Sequence, residues 1–110
     1  MAEPTLAQVF GANAVQTANT LTISKADLTA AIGLTASADN TAESLLAAVI
    51  EAASKYLTDT NQQANPDQSI AFFSGSDSLI TRGANTYRRK TRTIDFDKVD
   101  SGASFSPNDY

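Results

Sequence analysis

Ser69-Ile-Ala-Phe-Phe-Ser-Gly-Ser-Asp-Ser-Leu-Ile-Thr-Arg-Gly-Ala-Asn-Thr-Tyr-Arg-Arg-Lys-Thr-Arg-Thr-Ile-Asp-Phe-Asp-Lys-Val99 is the stretch where the pattern of this chain changes to a period of two. Ile70 and Phe72 alternate with Ala71 and Phe73. The polar cluster Ser74-Gly-Ser-Asp77 interrupts, Ser78-Leu-Ile-Thr81 resumes, and Arg82-Gly-Ala-Asn85 interrupts again before a long run from Thr86 to Val99. Alternation of this kind marks strands with two unlike faces, and Gly, Ser, Asp and Asn clusters supply turn chemistry. The spacing predicts an antiparallel β-meander over about 69–99. On its last strand Arg88, Lys90 and Arg92 share a face with Ile94 and Phe96, and Tyr87, Arg89, Thr91, Thr93, Asp95 and Asp97 take the other. Charged side chains are almost never fully buried unless paired. A strand charged on both faces is therefore expected at the surface or against a charged partner.

Working back from the meander, Leu45, Leu46, Val49, Ile50, Ala53, Tyr56 and Leu57 form one apolar stripe at a 3.6-residue period. That predicts an amphipathic helix over about 41–58, with Asn40 and Glu43 as a capping box and Glu51–Lys55 as an exposed i,i+4 pair. Its stripe is expected to cover the apolar face of the meander. Thr58 to Asn65 reads as a polar loop, and Pro66 blocks any continuation. Further upstream Leu21-Thr-Ile23 predicts a short strand. Ser24 and Asp27 then open a helix of about two turns that Gly33 closes. The predicted fold class is thus α+β: one main helix on a small antiparallel meander, forming a single domain over 21–99. Residues 1–20 and 100–110 lack a sustained period and are expected as extended arms.

The chain has 110 residues, enough for one domain with a modest core. It has no cysteine and no histidine. Disulfides, thiolate metal sites and every Ser-His or Cys-His nucleophile are excluded, along with the commonest general base. The expectation is no enzyme, no cofactor and no metal. Asp59-Thr-Asn61 begins like a calcium loop, but Ala64 stands where the loop needs glycine and Ile70 where it needs the closing glutamate. Asp95 and Asp97 share a strand face beside Arg89, Arg92 and Lys98, an arrangement that favours ion pairing over acid–base work. There is no phosphate-cradling glycine loop and no nucleophile elbow. The start lacks a signal peptide's basic and apolar regions, and no apolar run approaches a membrane span, so synthesis in the cytoplasm without membrane contact is expected.

Charge is unevenly placed. Residues 1–81 carry eight acids and two lysines, while 82–92 carry Arg82, Arg88, Arg89, Lys90 and Arg92 with no acid. The last stretch, 93–110, is acidic again. The basic block has three readings: contact with nucleic-acid phosphates, a solvated strand edge that discourages stray pairing, or a salt-bridged contact with an acidic segment of another copy. These five cations are the candidate partner-binding residues. Phe10, Phe105 and Tyr110 join them as aromatic anchors carried by the two arms.

Leu6-Ala-Gln-Val-Phe-Gly-Ala-Asn13, Leu21-Thr-Ile-Ser-Lys-Ala-Asp-Leu28, Asn40-Thr-Ala-Glu-Ser-Leu-Leu46, Asp67-Gln-Ser-Ile70 and the Thr86-Tyr-Arg88 step carry a resemblance across nearly the whole chain. The chain resembles small virion structural proteins of cyanobacterial phages and of prophage-like gene clusters. That resemblance implies a non-enzymatic place in a phage particle, as a capsid cement or decoration protein or as a neck, tail or baseplate component. It implies copies of itself and other virion proteins as partners, and the virion as final location. The alternative is a cytoplasmic binding module that uses residues 82–92 on nucleic acid or on an acidic protein.

Overall fold

The computed structural model describes residues 2–100, 102 and 104–110. The chain is an α+β protein. Thr5 opens the first helix, α1 (Leu6–Phe10). Its hydroxyl accepts from the Gln8 N–H at 3.1 Å, and the Gln8 side chain accepts from the Thr5 N–H at 2.9 Å. This reciprocal box satisfies two backbone donors at the helix start. Two-residue strands β1 (Val15–Gln16) and β2 (Leu21–Thr22) follow and pair antiparallel around a Thr17–Thr20 turn. Leu21–Thr22 is the short strand expected there, but residues 5–20 do not form the extended arm that their composition predicts. Asp27 is the reason. Its two carboxylate oxygens accept from the Asn13 N–H and from the Asn13 side-chain amide, each at 2.8 Å. A clamp made 14 residues away leaves no local period to read.

Helix α2 (Lys25–Ile32) ends as expected at Gly33, whose φ of +77° is the left-handed conformation that suits glycine. Helix α3 (Ala42–Tyr56) starts one residue later than predicted: the Thr41 hydroxyl, not Asn40, accepts from the Ser44 N–H at 3.1 Å. Asn40 instead ties the preceding loop together, accepting from the Ser37 N–H and donating to the Thr35 carbonyl. The predicted Glu51–Lys55 pair does not form. Lys55 donates to the Ala31 carbonyl at the end of α2, and Glu51 binds an arginine of the sheet.

The core is small and sits between α2 and α3. Leu28, Leu34 and Ala48 are buried, with Ile23, Ile32, Leu45, Val49 and Ala52 packed against them. The predicted stripe is rotated: Ala48 turns inward while Leu46 stays 60% exposed. Packing against α2 and α1 on two sides rotates the contact surface past the stripe's centre.

Helix α4 (Asp59–Ala64) replaces the predicted polar loop. Thr58 caps it by accepting from the Asn61 N–H at 3.1 Å, and the Gln63 side chain donates back to Asp59 at 2.8 Å. A helix held by caps and side-chain bonds needs no apolar period, so its sequence gives no periodic signal.

Strands β3 (Ile70–Arg82) and β4 (Asn85–Phe96) form one long antiparallel ribbon and not a three-stranded meander. The cluster Ser74-Gly-Ser-Asp77 is a β-bulge, not a turn. Ser74 faces Arg92 and Asp77 faces Lys90, so Gly75 and Ser76 together oppose Thr91. Gly75 is needed there, because a Cβ would lie 2.6 Å from the Thr91 carbonyl oxygen. The second cluster does turn. Arg82 pairs with Asn85 across the two-residue loop Gly83-Ala84, and Gly83 at φ +62° fits the turn that suits a twisted hairpin.

The ribbon is fixed at one end only. Ala71 is fully buried, and the Phe72 N–H donates at 2.9 Å to the carbonyl of Leu57, the buried residue closing α3. Gln68, 2% exposed, donates through Nε2 to the Thr58 and Ile70 carbonyls and so joins α4 to the ribbon's root. Beyond the bulge the strands run on alone. The radius of gyration is 16.3 Å, against about 13 Å for a compact chain of this length. The longest dimension is 48 Å.

Candidate functional site

The basic block falls on this ribbon, and the structure divides it between root and tip. Period two along the unbroken strand β4 puts Arg92, Lys90 and Arg88 on the face of Ile94 and Phe96, and puts Arg89 and Tyr87 on the other. Arg92 belongs to the root. Its Nε donates to Glu51 Oε1 at 2.8 Å, so the first cation of the block holds the ribbon against α3. Lys90 pairs at 3.1 Å with Asp77, its cross-strand partner just past the bulge. The guanidinium of Arg82 lies 5.2 Å from the centre of the Tyr87 ring, a cation–π contact on the second face.

Arg88 and Arg89 make no ion pair among the described residues. They project from opposite faces of the ribbon beyond the last contact with the helices. The tip thus presents Arg82, Arg88 and Arg89 without a carboxylate, in a chain whose remainder is acidic. Apolar side chains lie among them. Leu79 stands opposite Arg88 and is 63% exposed; Ile80 stands opposite Tyr87, which is also exposed. Strand alternation identified these positions, but not that none of the described residues would cover them.

The aromatic anchors occupy a different place. Phe10 ends α1 half-buried, in a crevice shared with Val9, Leu57, Ile70 and Tyr110. Phe96 meets Phe105 edge-on with ring centres 5.2 Å apart and Tyr110 at 5.4 Å, and Lys98 lies over the Tyr110 ring. The predicted anchors of a C-terminal arm therefore rest on the root of the chain's own ribbon. Phe105 remains 65% exposed, the outermost ring of that cluster. The root carries the Phe96, Phe105 and Tyr110 rings together with Arg92, and the tip carries Arg82, Arg88 and Arg89 around Tyr87.

Among the described residues, no three or more Asp and Glu side chains gather to hold a metal ion, and no helix is long and apolar enough to cross a membrane. Family models, curated proteins and solved structures give no match to this chain.

What the ribbon can do follows from its physical state. A two-stranded hairpin alone in water is marginally stable, and three or more strands with a covered face are needed for stability. Each open edge offers a row of free N–H and C=O groups that another strand can take up. The tip therefore offers backbone hydrogen bonds along two edges, an exposed leucine and two arginines, Arg88 and Arg89, without an ion-pair partner among the described residues. Those are the elements of a protein-docking surface.

Proposed function

We propose that this chain is a non-enzymatic structural subunit of a phage particle, a capsid cement or decoration protein in the first instance and otherwise a neck, tail or baseplate component. The phage setting rests on the sequence resemblance. The physical part of the reading rests on the ribbon, where a root bound to a small helical body carries a tip that none of the described residues covers. An enzyme's or small-ligand site is a concavity with converging polar groups. Here the polar and apolar groups diverge along a projection, which suits contact between proteins. The partner surface of the basic strand is acidic protein, because Arg88 and Arg89 carry charge in need of carboxylates and a tip shared with Leu79 and Ile80 favours an interface with an apolar centre.

The test combines mass and charge. Light scattering of the purified chain, across concentration and salt, is expected to show association beyond the monomer that strengthens as salt falls. The double substitution Arg88→Glu with Arg89→Glu leaves the ribbon's own ion pairs intact and is expected to weaken docking onto acidic particle proteins. A chain that stays monomeric and is retained on duplex DNA, with retention abolished by the double substitution, overturns the assembly reading in favour of a nucleic-acid-binding module.

A further inference from the structure

We infer that the free edge of β3, Asp77–Arg82, pairs antiparallel with the same edge of a second copy, with a two-fold axis at Leu79. The inference rests on reading the ribbon as an assembly arm and states which edge meets which partner.

The backbone fixes which groups are on offer. In an antiparallel pair, residues alternate between positions bonded across the pair and positions whose N–H and C=O point outward. The pair that flanks a two-residue hairpin loop, Arg82 and Asn85, is of the bonded kind. Two contacts at the root agree with this phase along β4. The Asp97 N–H donates inward to Ser69, and the N–H of Phe72, opposite Ile94, points out to Leu57. Carried past the bulge, the alternation turns Asp77, Leu79 and Thr81 outward on β3, and Thr86, Arg88 and Lys90 outward on β4.

Charge then separates the two edges. A second copy laid against β4 would bring Arg88, Arg89 and Lys90 against their own duplicates, which is repulsive. Strand β3 carries one acid and one base over the same length, Asp77 and Arg82, with Ser78-Leu-Ile-Thr81 between them. Its β-branched and apolar centre lacks the lysines, prolines or inward charges that protect edges from pairing. Only the β3 edge is complementary to itself.

Register follows from the two ends of that edge. The bulge at Gly75 and Ser76 closes one end and the Gly83-Ala84 loop closes the other. The three outward residues are centred on Leu79, so the two-fold axis passes there. Leu79 then faces its own duplicate, Asp77 faces Thr81 of the other copy and Ser78 faces Ile80. Each copy brings its exposed leucine into contact with the other's, and two marginal ribbons become one four-stranded sheet. The tip ends about 15 Å from Leu79, and Phe72 lies about 20 Å away on the other side at roughly 3.3 Å per residue, so each tip stops short of the other copy's Phe72–Leu57 contact on that edge. The two β4 strands become the outer edges, about 14 Å apart at three strand spacings, beyond the screening length of about 8 Å in physiological salt. Arg88 and Arg89 stay outermost and available to other proteins. The symmetry is the commonest closed one.

Disulfide trapping tests the pairing, because the chain has no cysteine of its own. At the axis two bonded residues stand about 5.5 Å apart between Cα atoms, within disulfide reach. Under mild oxidation Leu79→Cys is expected to form a covalent dimer, and Arg88→Cys on the opposite edge is expected not to. Thr81→Pro removes one outward N–H from each copy without touching the hairpin's own ladder, and is expected to weaken the dimer roughly 30-fold. Preferential cross-linking of Arg88→Cys overturns the choice of edge. An associating wild type whose Leu79→Cys form stays uncross-linked overturns the pairing and leaves the assembly reading standing. A strict monomer overturns the pairing as well, and the charge reversal on acidic particle proteins then decides the assembly reading by itself.

Discussion

Gly75→Ala tests the structural feature that sets the length of the free edge. A glycine inside a strand ordinarily weakens it, and replacement by alanine at a compatible site stabilises a protein by about 0.4–1 kcal/mol, largely through the unfolded chain. The bulge reverses that sign. The added Cβ would sit 2.6 Å from the Thr91 carbonyl oxygen and 3.0 Å from its carbon. Carbon–oxygen contacts in sheets lie at about 3.3 Å or more, so the strands must part by roughly 0.7 Å at a point where backbone faces backbone. Overpacking of this kind costs about 1–3 kcal/mol. The cost falls on the ribbon and not on the helical core, so amide hydrogen exchange is the suitable assay. The ladder amides of Phe73, Thr93, Ile80 and Tyr87 are expected to exchange roughly 5- to 150-fold faster, and those of α2 and α3 to change little. Unchanged or slower exchange in the ribbon would refute the close approach of Gly75 to Thr91, and with it the bulge as the fixed end of the edge.

Two further outcomes follow from the packing. Leu28→Ala removes a side chain that is only 3% exposed from a core of very few large residues, and is expected to lower stability by about 2–5 kcal/mol in urea unfolding, a large share of the total for a domain of this size. The Arg92–Glu51 pair is partly open to solvent, with side chains 33% and 40% exposed. A double-mutant cycle with Arg92→Gln and Glu51→Gln is expected to show coupling of about 0.2–1 kcal/mol that fades in high salt.

Much of the fold was legible because it is local. Period 3.6 over residues 45–57 and period two from Ile70 onward each state their element directly, and Gly33 marks the end of α2 through its own backbone conformation. What escaped depends on distance or on chemistry that the periods do not carry. The N-terminal segment folds because Asp27 clamps Asn13, and α4 forms on caps and not on an apolar face. The Ser74–Asp77 cluster has the composition of a turn, and only the pairing of Ser74 with Arg92 and of Asp77 with Lys90 distinguishes a bulge from a reversal of direction. That one distinction joins the two short strands before Arg82 into one, which pairs with the long strand after it as a ribbon long enough to leave the body. For the candidate site, the sequence located the cations but not their division. Arg92 is an internal anchor, Lys90 a cross-strand partner and Arg82 a cap over the Tyr87 ring, while Arg88 and Arg89 make no ion pair among the described residues.

Under the proposed assembly the division would let one projection serve two kinds of contact. Pairing through β3 depends on backbone groups and a nearly neutral row of side chains, so it is short-ranged and weakly sensitive to salt. Docking through β4 depends on unneutralised arginines, so it is longer-ranged and screened by salt. A basic outer strand also protects the first contact, since a copy that approaches from the β4 side meets like charge and is turned away. In that assembly the same residues would select the self-contact through β3 and remain exposed for an acidic neighbour. On this reasoning high salt should dissolve the contacts made through Arg88 and Arg89 while leaving the paired ribbons together. Dimers surviving at high salt, with larger species lost, are the pattern that links the two edges of the ribbon to two separate steps of assembly.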